Sequence, residues 1–139
     1  MLEERLTDEI LRLFYKVHHE LGFGFLERVY KNALYMELLE AGIVCETEKE
    51  IDVYYKDRVV GKFYADIIVE DCVILELKAV KSLCLEHECQ LINYLKATRQ
   101  EVGLLLNFGV KPEFKRKIFT NNRKNNPCIP CIPCAKNDE

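Results

Sequence analysis

Residues 72–80 read Cys72-Val73-Ile74-Leu75-Glu76-Leu77-Lys78-Ala79-Val80. An apolar run of this length, partly β-branched and preceded by the turn-forming pair Glu70-Asp71, predicts a buried strand. Strand alternation then points Glu76 and Lys78 to one face and Leu77 to the other. A carboxylate inside such a strand costs several kcal/mol unless a metal or another cation accompanies it. The stretch therefore calls for a sheet around it and a partner for Glu76.

Working outward, residues 59–69 carry a β pattern up to the Glu70-Asp71 turn, and residues 44–55 carry another up to the turn Lys56-Asp57-Arg58. Three strands joined by short turns predict an antiparallel meander. Upstream the apolar period changes. Leu6, Ile10, Leu13, Phe14, Val17 and Leu21 mark an amphipathic helix over residues 4–21, stopped by Gly22. Leu26, Val29, Tyr30, Ala33, Leu34 and Leu38 mark a second over residues 26–40, ended at Ala41-Gly42. Downstream, residues 85–99 read as a helix with Leu91, Leu95, Ala97 and Thr98 inward, residues 102–107 as a short buried strand, and residues 114–120 as a last edge strand. A strand, helix and returning strand favour a right-handed parallel crossover. The order α-α-β-β-β-α-β, with its final edge strand, is thus that of an α/β protein with a mixed sheet flanked by helices.

The 139 residues suffice for one domain with one sizeable core, and an apolar share of 49% excludes disorder throughout the chain. The expected division is a folded domain over residues 1–120 and a mobile tail over 121–139, where polar composition gives way to a Cys/Pro repeat. No leader-like segment opens the chain, and no run approaches the roughly 20 apolar residues that span a bilayer. A soluble, cytoplasmic protein that engages no membrane is expected. The seven cysteines are odd in number, so Cys45, Cys72, Cys84 and Cys89, in core-like positions, read as reduced and structural. The net charge of −3 is unevenly spread: the first fifty residues are mainly acidic, whereas 111–124 carry Lys111, Lys115, Arg116, Lys117, Arg123 and Lys124 against Glu113. Such a segment fits either a solvated strand and tail or an edge that contacts phosphates.

The chemistry centres on Asp66. A hairpin turn at Glu70-Asp71 brings Asp66 beside Glu76 by register counting. Hard divalent cations such as Mg2+ take oxygen ligands, commonly one or two carboxylates completed by water and substrate phosphate. Asp66 and Glu76 meet that need, with the main-chain carbonyl of Leu77 as a third ligand. Lys78 then orients or deprotonates an attacking water and offsets charge in the transition state of phosphodiester hydrolysis. The same charges also fit a solvated sheet face. On the following helix Gln90 and Tyr94 are four apart and share a face, with His87 three before Gln90.

The stretch Gly24-Phe25-Leu26-Glu27-Arg28-Val29-Tyr30 matches Gly-x-x-Glu-x-x-Tyr. Together with Ala65-Asp66, Glu76-Leu77-Lys78, residues 90–95 and Gly103-Leu104-Leu105-Leu106-Asn107-Phe108-Gly109, it resembles the bacterial GxxExxY family of the PD-(D/E)XK nuclease superfamily. The resemblance covers residues 5–120 and departs from the superfamily's name only at Ala65, where proline would stand. It implies a restriction-endonuclease-like fold and a nuclease dependent on Mg2+ or Mn2+ that acts on DNA or RNA. It implies Asp66 and Glu76 as metal ligands, Lys78 as the catalytic lysine, and Glu27 as a helical acid that reaches the metal directly or through water. Gln90 would help position Lys78 or substrate, and Tyr30 and Tyr94 would support the site.

Other signals are weaker. Cys128, Cys131 and Cys134 recur every third residue, too few for a closed zinc site. His18-His19 and His87 lack zinc-site spacing, and neither a phosphate-binding loop nor a serine elbow occurs. The rival to a nuclease is a catalytically silent module on the same fold, which grips nucleic acid through residues 111–124 or forms a homodimer through apolar helix faces.

Overall fold

Helices α1 (Glu4–Leu21) and α2 (Glu27–Glu40) lead into the hairpin of β1 (Cys45–Tyr55) and β2 (Arg58–Val69), followed by β3 (Val73–Lys78), α3 (Leu85–Lys96), β4 (Val102–Phe108) and β5 (Pro112–Ile118). The structure, a computed structural model, describes residues 3–124; the repeat containing Cys128, Cys131 and Cys134 lies outside them. The sheet order is β1-β2-β3-β4-β5, with β3 and β4 parallel and every other neighbouring pair antiparallel. This is the expected mixed sheet, and it is consistent with a restriction-endonuclease-like fold. No helix of the described residues is long and apolar enough to cross a membrane.

The turns explain how the meander closes. Lys56 and Asp57 both have positive φ, the backbone that the two-residue type I′ connection between Tyr55 and Arg58 requires, and Glu70 and Asp71 take the same conformation in the three-residue connection from Val69 to Val73. Arg99 and Gln100 then bind Asp71 at 2.9 and 3.0 Å, tying the chain after α3 to the turn before β3.

Each sheet face has its own apolar cluster. Ile10, Leu13 and Phe14 of α1 and Tyr30, Leu34 and Leu38 of α2 pack on Val73, Leu75 and Leu77 of β3 and on Leu104, Leu106 and Phe108 of β4. Leu91 and Leu95 of α3 pack on the opposite face against Ile68, Ile74 and Leu105. Gly103 lets α3 lie close, because a Cβ there would sit 2.8 Å from Leu91 Cδ1. Phe108 joins the helices to the sheet through Tyr30, stacked at 4.4 Å, and Phe14, edge-on at 4.9 Å.

Several boundaries differ from the sequence reading. Leu26 caps α2 rather than joining its buried face and is 68% exposed. Helix α3 stops at Lys96, three residues early, where the Thr98 hydroxyl donates to the carbonyls of Tyr94 and Leu95 and so competes with helical pairing. Strand β3 stops at Lys78, because Val80 hydrogen-bonds the Asn107 side chain instead of a strand. Residues 121–124 are not part of a mobile tail: Asn121–Arg123 form a 3-10 turn, and Lys124 Nζ donates to the Thr98 and Gln100 carbonyls. Cys84 and Cys89 are exposed rather than core, while Cys45 and Cys72 are half-buried, all four as free thiols.

Gly109 marks a second close approach, since a Cβ there would lie 2.5 Å from the Val80 carbonyl oxygen. Gly109→Ala should therefore lower stability by about 1–3 kcal/mol, read as a lower urea midpoint; an unchanged midpoint would show that the two main chains separate freely.

Candidate functional site

The ladder between β2 and β3 runs Val69↔Val73, Ile68↔Ile74 and Ile67↔Leu75, and there it stops. One step further would set Asp66 opposite Glu76, and at that step side chains replace the ladder. The Leu77 N–H donates to Asp66 Oδ2 at 2.8 Å, so the main chain of β3 orients the acid of β2. Glu76 follows Ile74 in the alternation, which puts Glu76 and Lys78 on the α3 side and Leu77 on the opposite side.

Glu76 is only 7% exposed, and its Oε1 has no hydrogen-bond partner. Burial first, then the Asp66 charge, pushes its pKa up to about 8, with Lys78 opposing. Burial likewise raises Asp66 above the usual carboxylate range, opposed by the Leu77 N–H and by Lys31 and Lys78. Tyr94 is pushed up to about 12 by burial and by the charges of Glu76 and Asp66. Glu27, the first residue of α2, is exposed but close enough for its charge to raise both carboxyls. Asp66, Glu76, Lys78, Glu27 and Tyr94 therefore share one electrostatic neighbourhood. Gln90, one helical turn before Tyr94 on α3, is exposed and lines a groove together with it. Tyr30 is fully buried, and its hydroxyl donates to the Gly22 carbonyl at 2.6 Å and accepts from the Phe25 N–H at 3.2 Å. It fixes the connector from which Glu27 emerges.

Two further residues come to the site. Lys31, four after Glu27 on α2 and only 13% exposed, pairs with Glu48 of β1. Glu48 lies opposite Asp66 between the pairs Thr47↔Ile67 and Lys49↔Ala65, and its φ is 54°. Spacing of four from Glu27 signals Lys31 in the sequence; nothing local signals Glu48. Asn107, fully buried at the end of β4, holds both main-chain groups of Val80 at 2.9 Å, two residues beyond Lys78.

Among the described residues no three His, Cys, Asp or Glu side chains form a ready cluster for a metal. An octahedral Mg2+ needs only one or two carboxylates beside water and substrate phosphate. The orphaned Glu76 Oε1, beside the raised Asp66, fits a cation there.

A family model described as the PD-(D/E)XK nuclease superfamily matches residues 4–117. Solved structures match as well, among them one titled "Crystal structure of SSO0001", with 21% identity and a TM-score of 0.55 over 68% of this chain and 50% of that one. That likeness concerns the fold, and the chain spans about half the length of that relative. No curated protein matches.

A carboxyl raised in the folded state keeps a proton that the unfolded chain releases. The contribution of Glu76 to the stability of the metal-free protein should therefore be greatest below the unfolded value of 4.5, fall as pH rises, and level off above about 8. Glu76→Gln should flatten this slope and gain roughly 2–4 kcal/mol over the wild type at pH 9. Urea titrations in a chelator at pH 5, 7 and 9 would measure it, and parallel curves would deny that Glu76 is the buried acid responsible.

Proposed function

The chain belongs to the PD-(D/E)XK nuclease superfamily, and from that premise we propose that it is a metal-dependent nuclease hydrolysing phosphodiester bonds in DNA or RNA. The observation that carries the reading is the pairing of buried Glu76 with half-buried Asp66, with Glu76 Oε1 left unpartnered. Asp66 and Glu76 would hold Mg2+ or Mn2+, helped by the Leu77 main-chain carbonyl and by Glu27 directly or through water. Such an ion, when bound, polarises a phosphate oxygen and acidifies its water. To serve as a ligand Glu76 would have to give up the proton that burial favours, so binding of an ion would be coupled to proton release.

Lys78 is the residue we assign to the water. On the same sheet face as Glu76, its ammonium orients the nucleophile in line with the scissile bond and offsets charge as the transition state forms. Lys31 compensates Asp66 from the α2 side, which supports two acids side by side while the ion is absent. Tyr94 would support the carboxylates, whose charges it feels, and Gln90 would help position Lys78 or substrate.

One observation favours a second reading. Strand β5 leaves an open sheet edge with Lys111 and Lys115 exposed beside it, suited to phosphates without turnover. Binding that weakens steeply with salt, with no cleavage in any metal, would select this silent module.

The nuclease reading expects cleavage of DNA or RNA with Mg2+ or Mn2+, abolished by Asp66→Ala and lowered about 100-fold or more by Lys78→Ala. Calorimetric metal binding should disappear in Asp66→Ala. A pure, folded protein that cleaves neither nucleic acid and binds no metal through Asp66 would end the proposal.

A further inference from the structure

On the α3 side of the sheet lies a groove of about 670 Å³ between the β1–β2 hairpin, α3 and the segment after β5. Its volume falls within the range of about 300–1,000 Å³ that accepts small ligands. Two properties set its chemistry. It is aromatic: Phe63 of β2 stacks on Tyr94 of α3 with centroids 3.7 Å apart and planes 13° from parallel, and Phe119 stands at the other end. It is also cationic, with Lys96, Arg123 and Lys124 among its lining residues and no acidic side chain among them.

The cations are held by the fold. Arg123 lies over the Phe119 ring at 4.6 Å, and Lys96 approaches the same ring at 5.6 Å. Lys124 is anchored on the carbonyls of Thr98 and Gln100 at 2.9 and 2.6 Å. The 3-10 turn Asn121–Arg123 therefore sets the Arg123 guanidinium at the groove, while burial pushes the Lys124 ammonium down to about 8. Tyr94 belongs to both places, since it lines the groove and senses the charges of Glu76 and Asp66.

We propose that this groove binds an unpaired nucleotide of a single-stranded nucleic acid, its base against the Phe63–Tyr94 pair and its phosphate at Arg123, next to the bond presented to the carboxylates. The inference deepens the nuclease reading and rests on it for the class of ligand. Aromatic faces beside backbone-tracking cations are how proteins hold single strands without reading sequence, because every base offers a π face. A duplex hides those faces by stacking. The predicted substrates are therefore single strands, frayed ends or flaps rather than blunt duplex, with little base preference.

Binding in a chelator separates this inference from turnover. Fluorescence anisotropy of the full chain with a labelled oligo(dT) and with a blunt duplex of equal length should show the single strand bound more tightly. Phe63→Leu, which keeps apolar volume but removes the π face, should weaken the single strand about five- to tenfold and leave the duplex unchanged. Arg123→Gln, at an exposed position, should weaken it several-fold and reduce the slope of log K against log salt by about 0.7. If Phe63→Leu fails to fold by circular dichroism, Arg123→Gln and the single-strand preference decide alone. Equal affinity for both forms, or equal weakening of both, would reduce the groove to a general basic surface and overturn the proposal. So would no binding of either oligonucleotide, which would leave the groove to a protein partner. Tight single-strand binding without cleavage in Mg2+ or Mn2+ would keep the groove and sink the nuclease, whereas metal-dependent cleavage indifferent to Phe63 and Arg123 would do the reverse.

Discussion

Everything at the candidate site depends on the exchange of a ladder bond for a side-chain one between Asp66 and Leu77. Where the β2–β3 ladder ends, the Leu77 N–H goes to the Asp66 carboxylate. The exchange satisfies a main-chain donor that would otherwise be orphaned at a strand end. It also forces two acids to share a poorly solvated space. Burial raises both, the Asp66 charge raises Glu76 further, and Lys78 at both and Lys31 at Asp66 offset only part of it. A fold that needed only stability would do better with apolar residues there, so the pair points to something that binds.

The motif residues outside the strands mostly hold this exchange in place. Tyr30 is buried, ties the connector at Gly22 and Phe25, and stacks on Phe108, so α2 and the end of β4 form one support. Asn107 takes both main-chain groups of Val80, and Gly109 lets the chain after β4 pass close to the Val80 carbonyl. Lys78 is thus clamped from its C-terminal side, as Glu27 is from the connector before it. A preorganised site needs this, because small displacements of a catalytic group are costly in rate.

Element order and strand pairing were legible because they rest on local signals: the change of apolar period after Gly42, the turn pairs Lys56-Asp57 and Glu70-Asp71, and the unbroken apolar run before Glu76. Adjacency of Asp66 and Glu76 followed by counting. Leu26 misled because it continues the apolar spacing of α2 while occupying its cap. The end of α3 depends on one hydroxyl, that of Thr98, turning back on the helix. Gln90 and Tyr94 do line one groove, as their spacing of four on α3 requires. Glu48 and the groove had no local signature, since each is assembled from segments far apart in the chain.

Glu48 also bears on why the acid of β2 stands at residue 66. Phe63 and Ala65 pack in the α3 cluster, whereas Ile67 and Val69 pack against α1 and α2. All four numbers are odd, and a regular strand would send them to one face. The pleat therefore changes phase at Asp66, and directly opposite, Glu48 adopts φ of 54° and drops out of the ladder. A left-handed conformation costs a non-glycine residue roughly 1–2 kcal/mol, and the Lys31 pairing holds Glu48 where that cost is incurred. The phase change lets one strand serve both cores, and it leaves a single residue, at the crossover, free of either. That residue can carry a carboxylate to the sheet surface without emptying a core position, which neither Ala65 nor Ile67 could do.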